Sequence, residues 1–227
     1  MDLGGATWPQ VEATGGRSVL AVPLGSLEQH GPHLPLDTDT RIAMAVATGL
    51  SARHAGVTVA PPVAYGASGE HAGFPGTLLI GHEVLAGFLV ELVRSARGSF
   101  AGVVLVSAHG GNEEALSLLQ ARCTADGDDV LVWRATTVGG DAHAGRTETS
   151  LMLAVDPSAV RLELAEAGCT EPLGTLLPRL RAEGVRPVSS NGVLGDPAGA
   201  SPDEGRMLLH ALVGDLAAAV ASRWSGR

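Results

Sequence analysis

The run Gly102-Val103-Val104-Leu105-Val106-Ser107 is a near-continuous apolar stretch with no alternation of polar positions. A strand reads this way when both of its faces are covered, which predicts a central strand of a parallel sheet with helices packed on each side. Ser18–Leu24, Val57–Ala60 and Val130–Arg134 are further short strand patterns. They alternate with helical patterns at Thr40–His54, His82–Arg97, from Asn112 through Arg122, and at Glu148–Val155. A closing helix is expected over Pro202–Trp224, with Leu208, Leu209, Leu212, Leu216 and Val220 on one face. This alternation predicts an α/β fold with a mainly parallel sheet. Asp39-Thr40 reads as the cap signal of the Thr40–His54 helix. The Pro- and Gly-rich stretch 170–200 predicts irregular structure with one helix near Leu173–Glu183. No repeat or separating linker interrupts the 227 residues, so one domain over 1–227 is expected.

Aromatic residues make up only 3% of the chain, so its core must be built from Ala, Val and Leu. The formal charge is 15 − 24 = −9, and every basic residue is Arg. Without lysine there is neither a P-loop cation nor a Schiff base for pyridoxal chemistry. The acidic balance argues against nucleic acid as a partner, which requires a clustered positive face. Two distant cysteines, Cys123 and Cys169, do not make a disulfide scaffold, and a reducing, cytoplasmic setting is expected. The first sixteen residues have neither the positive charge nor the apolar run of a secretory signal. No uninterrupted apolar run reaches the roughly 18–20 residues of a membrane span, so no membrane partner is expected. A G-x-G-x-x-G turn after a strand and a G-x-S-x-G elbow are both missing, which argues against a dinucleotide fold and against serine hydrolysis.

Three clusters remain, each placed after a strand pattern. Glu28, His30 and Asp39 lie in the loop and helix start that follow Ser18–Leu24. His109-Gly110-Gly111-Asn112 follows the central strand, and Asp141, His143 and Glu148 follow Val130–Arg134. Ligands bind beyond the carboxyl ends of parallel strands, so the three clusters converge on one edge of the sheet. Carboxylates and imidazoles without a thiolate suit Zn, Mn or Fe(II) at a hydrolytic centre. His54, His82 and His210 fall in helical patterns without carboxylate company and read as structural or solvated; His33 reads as a loop brace. A metal-stabilised binding module without catalysis is the alternative from another class, and alanine at His30 or Asp39 separates the two.

The block from Pro23 to Leu36 (PLGSLEQHGPHLPL), followed by Thr38-Asp39, resembles the signature of the creatininase family of metal-dependent amidohydrolases. The resemblance continues through Glu70-His71-Ala72-Gly73-Phe74-Pro75-Gly76-Thr77, His109-Gly110-Gly111-Asn112, His143-Ala144-Gly145 and Glu148-Thr149-Ser150. It implies a three-layer αβα sandwich and a centre of two divalent ions (Zn, Fe(II) or Mn). In that centre Glu28 and His109 hold one ion, His30 the other, and Asp39 bridges. The second-metal carboxylate of creatininase is replaced here by Gly111, with Glu148 as candidate substitute and Asp141 behind it. His143 is implied as the proton-handling catalytic residue, and Glu70, His71 and Asn112 as substrate contacts. Within the family the chain most resembles a peptidase branch whose substrate is a small modified precursor peptide, cleaved to release a Val-Tyr-derived tail. A hydrolase of a small cyclic amide or formamide is the alternative. Gly139–Glu148 lacks the tryptophan that covers the substrate in creatininase. The family also implies a homo-oligomer.

Overall fold

The computed structural model describes residues 1–137 and 139–224, so the expected domain over 1–227 extends past the described residues at 138 and 225–227. Four strands, β1 (Val19–Leu24), β2 (Val57–Val59), β3 (Gly102–Ser107) and β4 (Val130–Arg134), form a sheet in the order β2-β1-β3-β4. Every neighbouring pair is parallel, and β1 and β3 are in register from Val19↔Gly102 to Leu24↔Ser107. The chain order reverses between β1 and β3, which makes the carboxyl ends of these two strands the natural crevice. Among the described residues seven α-helices accompany the sheet: α1 (Trp8–Glu12), α2 (Thr38–Arg53), α3 (His82–Ala96), α4 (Glu113–Asp126), α5 (Arg146–Val155), α6 (Leu173–Glu183) and α7 (Pro202–Trp224).

Successive residues of a strand point to opposite faces, so each strand feeds two cores. Val19, Ala21, Val104 and Val106 pack with Val46 and Leu50 of α2, Met152 of α5 and Leu216 of α7. Leu20, Val22, Leu24, Val103 and Leu105 pack with Leu85 and Leu89 of α3 and Leu116 and Leu119 of α4. The result is helix, sheet, helix, in the three layers expected. Each fully buried Leu contributes about 1.5–3 kcal/mol of transfer free energy, which lets a chain poor in aromatic residues hold its core. The two interior tryptophans have partners for their N–H groups, Trp133 donating to Asp215 Oδ2 (2.7 Å) and Trp224 to Asp129 Oδ2 (2.9 Å).

α7 is long and apolar enough to cross a membrane by length and composition, although Arg206 and Asp215 interrupt its apolar residues. Its apolar side, Leu212, Val213, Leu216 and Val220, is buried in the core against α2 and α5. A smaller core lies under the Pro- and Gly-rich stretch, where Leu176 and Leu180 of α6 meet Val185, Leu194, Phe74 and Ala142. This stretch is tied to two of the expected site loops: Val185 N–H donates to Glu70 O (2.8 Å), and Leu194 exchanges backbone hydrogen bonds with His143.

Candidate metal centre

The loop leaving β1 carries Glu28, Gln29 and His30, and Asp39 lies in the first turn of α2. α2 starts two residues earlier than the capping pattern suggested, with Asp37 at the N-cap position, so Asp39 does not cap the helix. Its carboxylate turns inward: Ser26 Oγ donates to Oδ2 (2.7 Å), His30 Nε2 is 3.2 Å from Oδ1, and His109 Nδ1 is 3.2 Å from Oδ2. His109 lies two residues beyond the end of β3, and its Nε2 is 3.1 Å from Glu28 Oε2. Glu28 Oε1 faces His71 Nε2 (3.2 Å) and His143 Nδ1 (3.8 Å). Glu148, in the first turn of α5, places Oε2 3.9 Å from His30 Nε2 and accepts Ala144 N–H (2.6 Å). Ala144 adopts φ 53°, a left-handed conformation uncommon for a residue with a side chain.

Three overlapping groups of potential ligand atoms lie within 4.8 Å of one another among the described residues. They are Glu28, Asp39 and His109; His30, His143 and Glu148; and Glu28, His71 and His143. Asp39 reaches both His109 and His30, the position of a shared ligand. The fit to a cation rests on Glu28. It is fully buried, and neither carboxylate oxygen has a hydrogen-bond partner among the described residues. His109 Nε2 and His71 Nε2 face it at 3.1 and 3.2 Å without forming well-directed hydrogen bonds, and a carboxylate buried in this way gains from a divalent ion held between it and the imidazoles. An oxygen and imidazole donor set of this kind accepts Zn, Mn or Fe(II).

The electrostatics agree. Burial pushes Glu28 up to about 7, with His109 opposing and Asp39 reinforcing the shift. Burial alone would lower His30 and His109, but the surrounding carboxylates outweigh it: Asp39, Glu148 and Glu28 lift His30 to about 10. Glu28, Asp39 and Glu70 do the same for His109, also to about 10. Asp39, despite burial, is held well below the carboxylate range by His30 and His109. His30 and His109 therefore bind protons in the folded, metal-free protein that the unfolded chain releases above its ordinary histidine value. Their stabilisation is fully present below about 6.5 and is lost as pH rises through about 10. Glu28 acts in the same direction between 4.5 and about 7. The melting temperature of metal-free protein is expected to fall from pH 6 to 10. At pH 8, metal uptake is expected to release about two protons, one from each histidine. Titration calorimetry in two buffers of different ionisation enthalpy measures that release; a value near zero would contradict it.

Of the other expected residues, Glu70 and His71 lie beside the cluster. Glu70 Oε1 is 3.8 Å from His109 Nε2, and its side chain is 29% exposed where those of Glu28 and His109 are buried, which puts Glu70 at the open rim. Asn112 differs from its expected substrate contact. It is fully buried, with Oδ1 accepting Ala67 N–H (2.9 Å) and Nδ2 donating to Gly25 O (3.1 Å), so it braces the loops after β1 and β3. Asp141 is exposed and outside the three groups, its carboxylate accepting Thr147 N–H (3.3 Å), whereas Glu148 faces His30. His33 braces its loop as read, through Nε2 to Thr149 Oγ1 (2.9 Å). His82 has carboxylate company after all, with Nδ1 3.5 Å from Glu114 Oε2. The sequence reading missed Ser26, Gln29 and Ser68, the last with Oγ 3.3 Å from His109 Nε2. Only Gln29 had a signal, its place between two expected ligands.

The creatininase family profile, described as creatinine amidohydrolase, matches residues 5–220. The chain is 49% identical, over 98% of its length and 91% of the relative's, to the mycofactocin precursor peptide peptidase of Mycobacterium tuberculosis (strain CDC 1551 / Oshkosh). Its fold matches a crystal structure of creatinine amidohydrolase (creatininase) with a TM-score of 0.81 at 27% identity, covering 100% of this chain and 98% of the other. A structure described as creatininase Mn matches with a TM-score of 0.79 at 27% identity, covering 99% and 98%.

Proposed function

The chain belongs to the creatininase family and is a hydrolase acting on amide bonds, and from that premise we propose that it removes the C-terminal modified Val-Tyr dipeptide from the mycofactocin precursor peptide. The observation that carries a metal-dependent reaction is the buried Glu28 carboxylate, which accepts no well-formed hydrogen bond and is ringed by His71, His109 and His143. In this reading Glu28 and His109 would hold one divalent ion and His30 and Glu148 a second, and Asp39, between His30 and His109, would serve both. Such ions supply Lewis-acid polarisation of the amide carbonyl and a water acidified from about 15.7 towards 7.

The remaining work falls to protein groups. His143 stands with Nδ1 towards Glu28, where it can take a proton from the attacking water and pass it to the departing nitrogen. Burial, together with His30 and His71, holds its pKa well below the ordinary imidazole value, so it stands neutral and able to accept. Glu70 meets the substrate at the rim, and His71 meets it from the buried interior beside Glu28. The loops around Gly73 and Arg186, joined by Arg186 Nη1 to Gly73 O (2.5 Å), form a wall for an extended peptide tail. A homo-oligomer is part of the proposal and fits the exposure of Val84 and Phe88, one turn apart on α3.

The test is mass spectrometry of modified precursor peptide after incubation with metal-reconstituted protein, with chelator and unmodified-peptide controls. Chelator-sensitive loss of the two-residue tail is expected, and His143→Gln is expected to lower kcat by about 10²–10⁴-fold. No cleavage with two ions bound per chain would overturn the substrate and direct the search to small cyclic or formyl amides. No cleavage and no bound metal would overturn the metal-dependent reading.

A further inference from the structure

Gln29 is a buried amide at the centre of the site, and its hydrogens can be placed from the partners it has. Its Oε1 accepts the N–H of Gly31 (2.8 Å). Its Nε2 lies near three atoms, Gly192 O (3.0 Å), His71 Nδ1 (2.9 Å) and His143 Nε2 (3.0 Å), but carries only two hydrogens. The backbone settles the competition. His143 Nε2 is 2.8 Å from the carbonyl oxygen of Gln29, which can only accept, so His143 carries its hydrogen on Nε2 and has no lone pair there. The two amide hydrogens therefore go to Gly192 O and His71 Nδ1. Turning the amide over would set its nitrogen against Gly31 N–H and its oxygen against Gly192 O, two repulsions in place of two bonds. Space is equally constrained: a Cβ at Gly192, where φ is +82°, would stand 1.8 Å from Gln29 Oε1.

With Nδ1 of His71 accepting, the proton of His71 sits on Nε2, the nitrogen 3.2 Å from Glu28 Oε1. With Nε2 of His143 donating, its bare nitrogen is Nδ1, 3.8 Å from the same oxygen. We infer that Gln29 is a positioning residue that holds His71 and His143 in the same tautomer but opposite orientations, so that His71 presents an N–H donor to the reacting carbonyl oxygen while His143 presents a lone pair for proton transfer. The assignment of these two tasks rests on the amide-hydrolase reading above; the tautomers themselves do not. It also separates the two histidines chemically, because His71 as held here has no lone pair to give a cation on its Glu28 side.

The test uses the zinc-loaded full chain labelled with ¹⁵N-histidine, whose two-bond nitrogen–proton correlations distinguish Nδ1–H from Nε2–H imidazoles. His71→Gln and His143→Gln assign the signals. Both rings are expected as Nε2–H in the unsubstituted protein. Gln29→Glu replaces the donor with a carboxylate acceptor and is expected to move the His71 proton to Nδ1. Gln29→Met keeps the length without either function and is expected to give a mixture of both His71 forms, so the test survives if the buried carboxylate prevents folding. In turnover, both variants are expected to lose about 10²–10³-fold in kcat with little change in KM, the scale of one lost oxyanion donor. His71 found as Nδ1–H in the unsubstituted protein, or His71 unchanged in both variants, would overturn the inference. Expected tautomers in a protein that cleaves no amide substrate would support the positioning and sink the proposed function instead.

Discussion

Asp39→Asn is expected to leave the protein with little bound metal and at least about a hundredfold lower kcat, the scale on which a lost electrostatic group acts. The substitution keeps the side chain's shape and Ser26's partner but removes the charge that both His30 and His109 approach within 3.2 Å. In the proposed centre Asp39 is the one ligand common to both ions, so its loss acts on two sites at once. Asn also withdraws the leading counter-ion of His30 and one of the three carboxylates that raise His109, so the fall of the metal-free melting temperature with pH is expected to become shallower. Breaking a buried ion pair from one side costs about 3–5 kcal/mol, so circular dichroism should accompany metal analysis. Elemental analysis of folded protein still holding two ions per chain would remove Asp39 from the bridging position.

Gly111→Ala is the second large effect expected, and Gly110→Ala is its control. The two glycines are adjacent in the loop after β3, yet their surroundings differ. A Cβ at Gly110 meets nothing within 4 Å, whereas one at Gly111 would stand 2.4 Å from Glu70 Oε1, 2.4 Å from His109 Nε2 and 2.5 Å from Ala67 O. Glu70 can swing aside, but the Ala67 carbonyl belongs to the backbone and His109 is wedged between Asp39 and Glu28. Gly111→Ala is therefore expected to lose about 1–3 kcal/mol of stability and to displace His109, with metal affinity falling by tenfold or more. Gly110→Ala is expected to stay within about 0.5 kcal/mol in urea unfolding with metal content unchanged. Equal effects of the two substitutions would show that the crowding at Gly111 relaxes at no cost. The same crowding bears on the family comparison: Glu70 stands where a side chain on residue 111 would begin, so a carboxylate at 111 and Glu70 in its present position exclude each other.

Much of this was legible along the chain because it is local. Gly102–Ser107 announces a doubly covered strand by composition alone, and β3 has those bounds. Val130–Arg134, Leu173–Glu183 and Pro202–Trp224 are read at their structural limits for the same reason: each is a periodic pattern closed by turn residues. The donor types were legible too, since Glu28, His30, His109 and Glu148 each follow a strand pattern and strand ends in a parallel sheet share one edge. Asp39 was the ambiguous case, because Asp before a helix is more often a cap, and only the position of the helix start turns it inward.

What the chain could not announce depends on partners far apart in sequence. Glu70 and Gly111 share one small volume, and Asn112 spends its amide on backbone 45 and 87 residues away. Gln29 meets His71, His143 and Gly192 across 42, 114 and 163 residues. The sequence by itself determined the fold class and which donor chemistries reach the sheet edge, because periodicity and side-chain type are properties of short segments. The tertiary structure alone decided which nitrogen of each histidine faces the carboxylates and which glycine is indispensable, because hydrogen placement and excluded volume exist only once distant loops have been brought together.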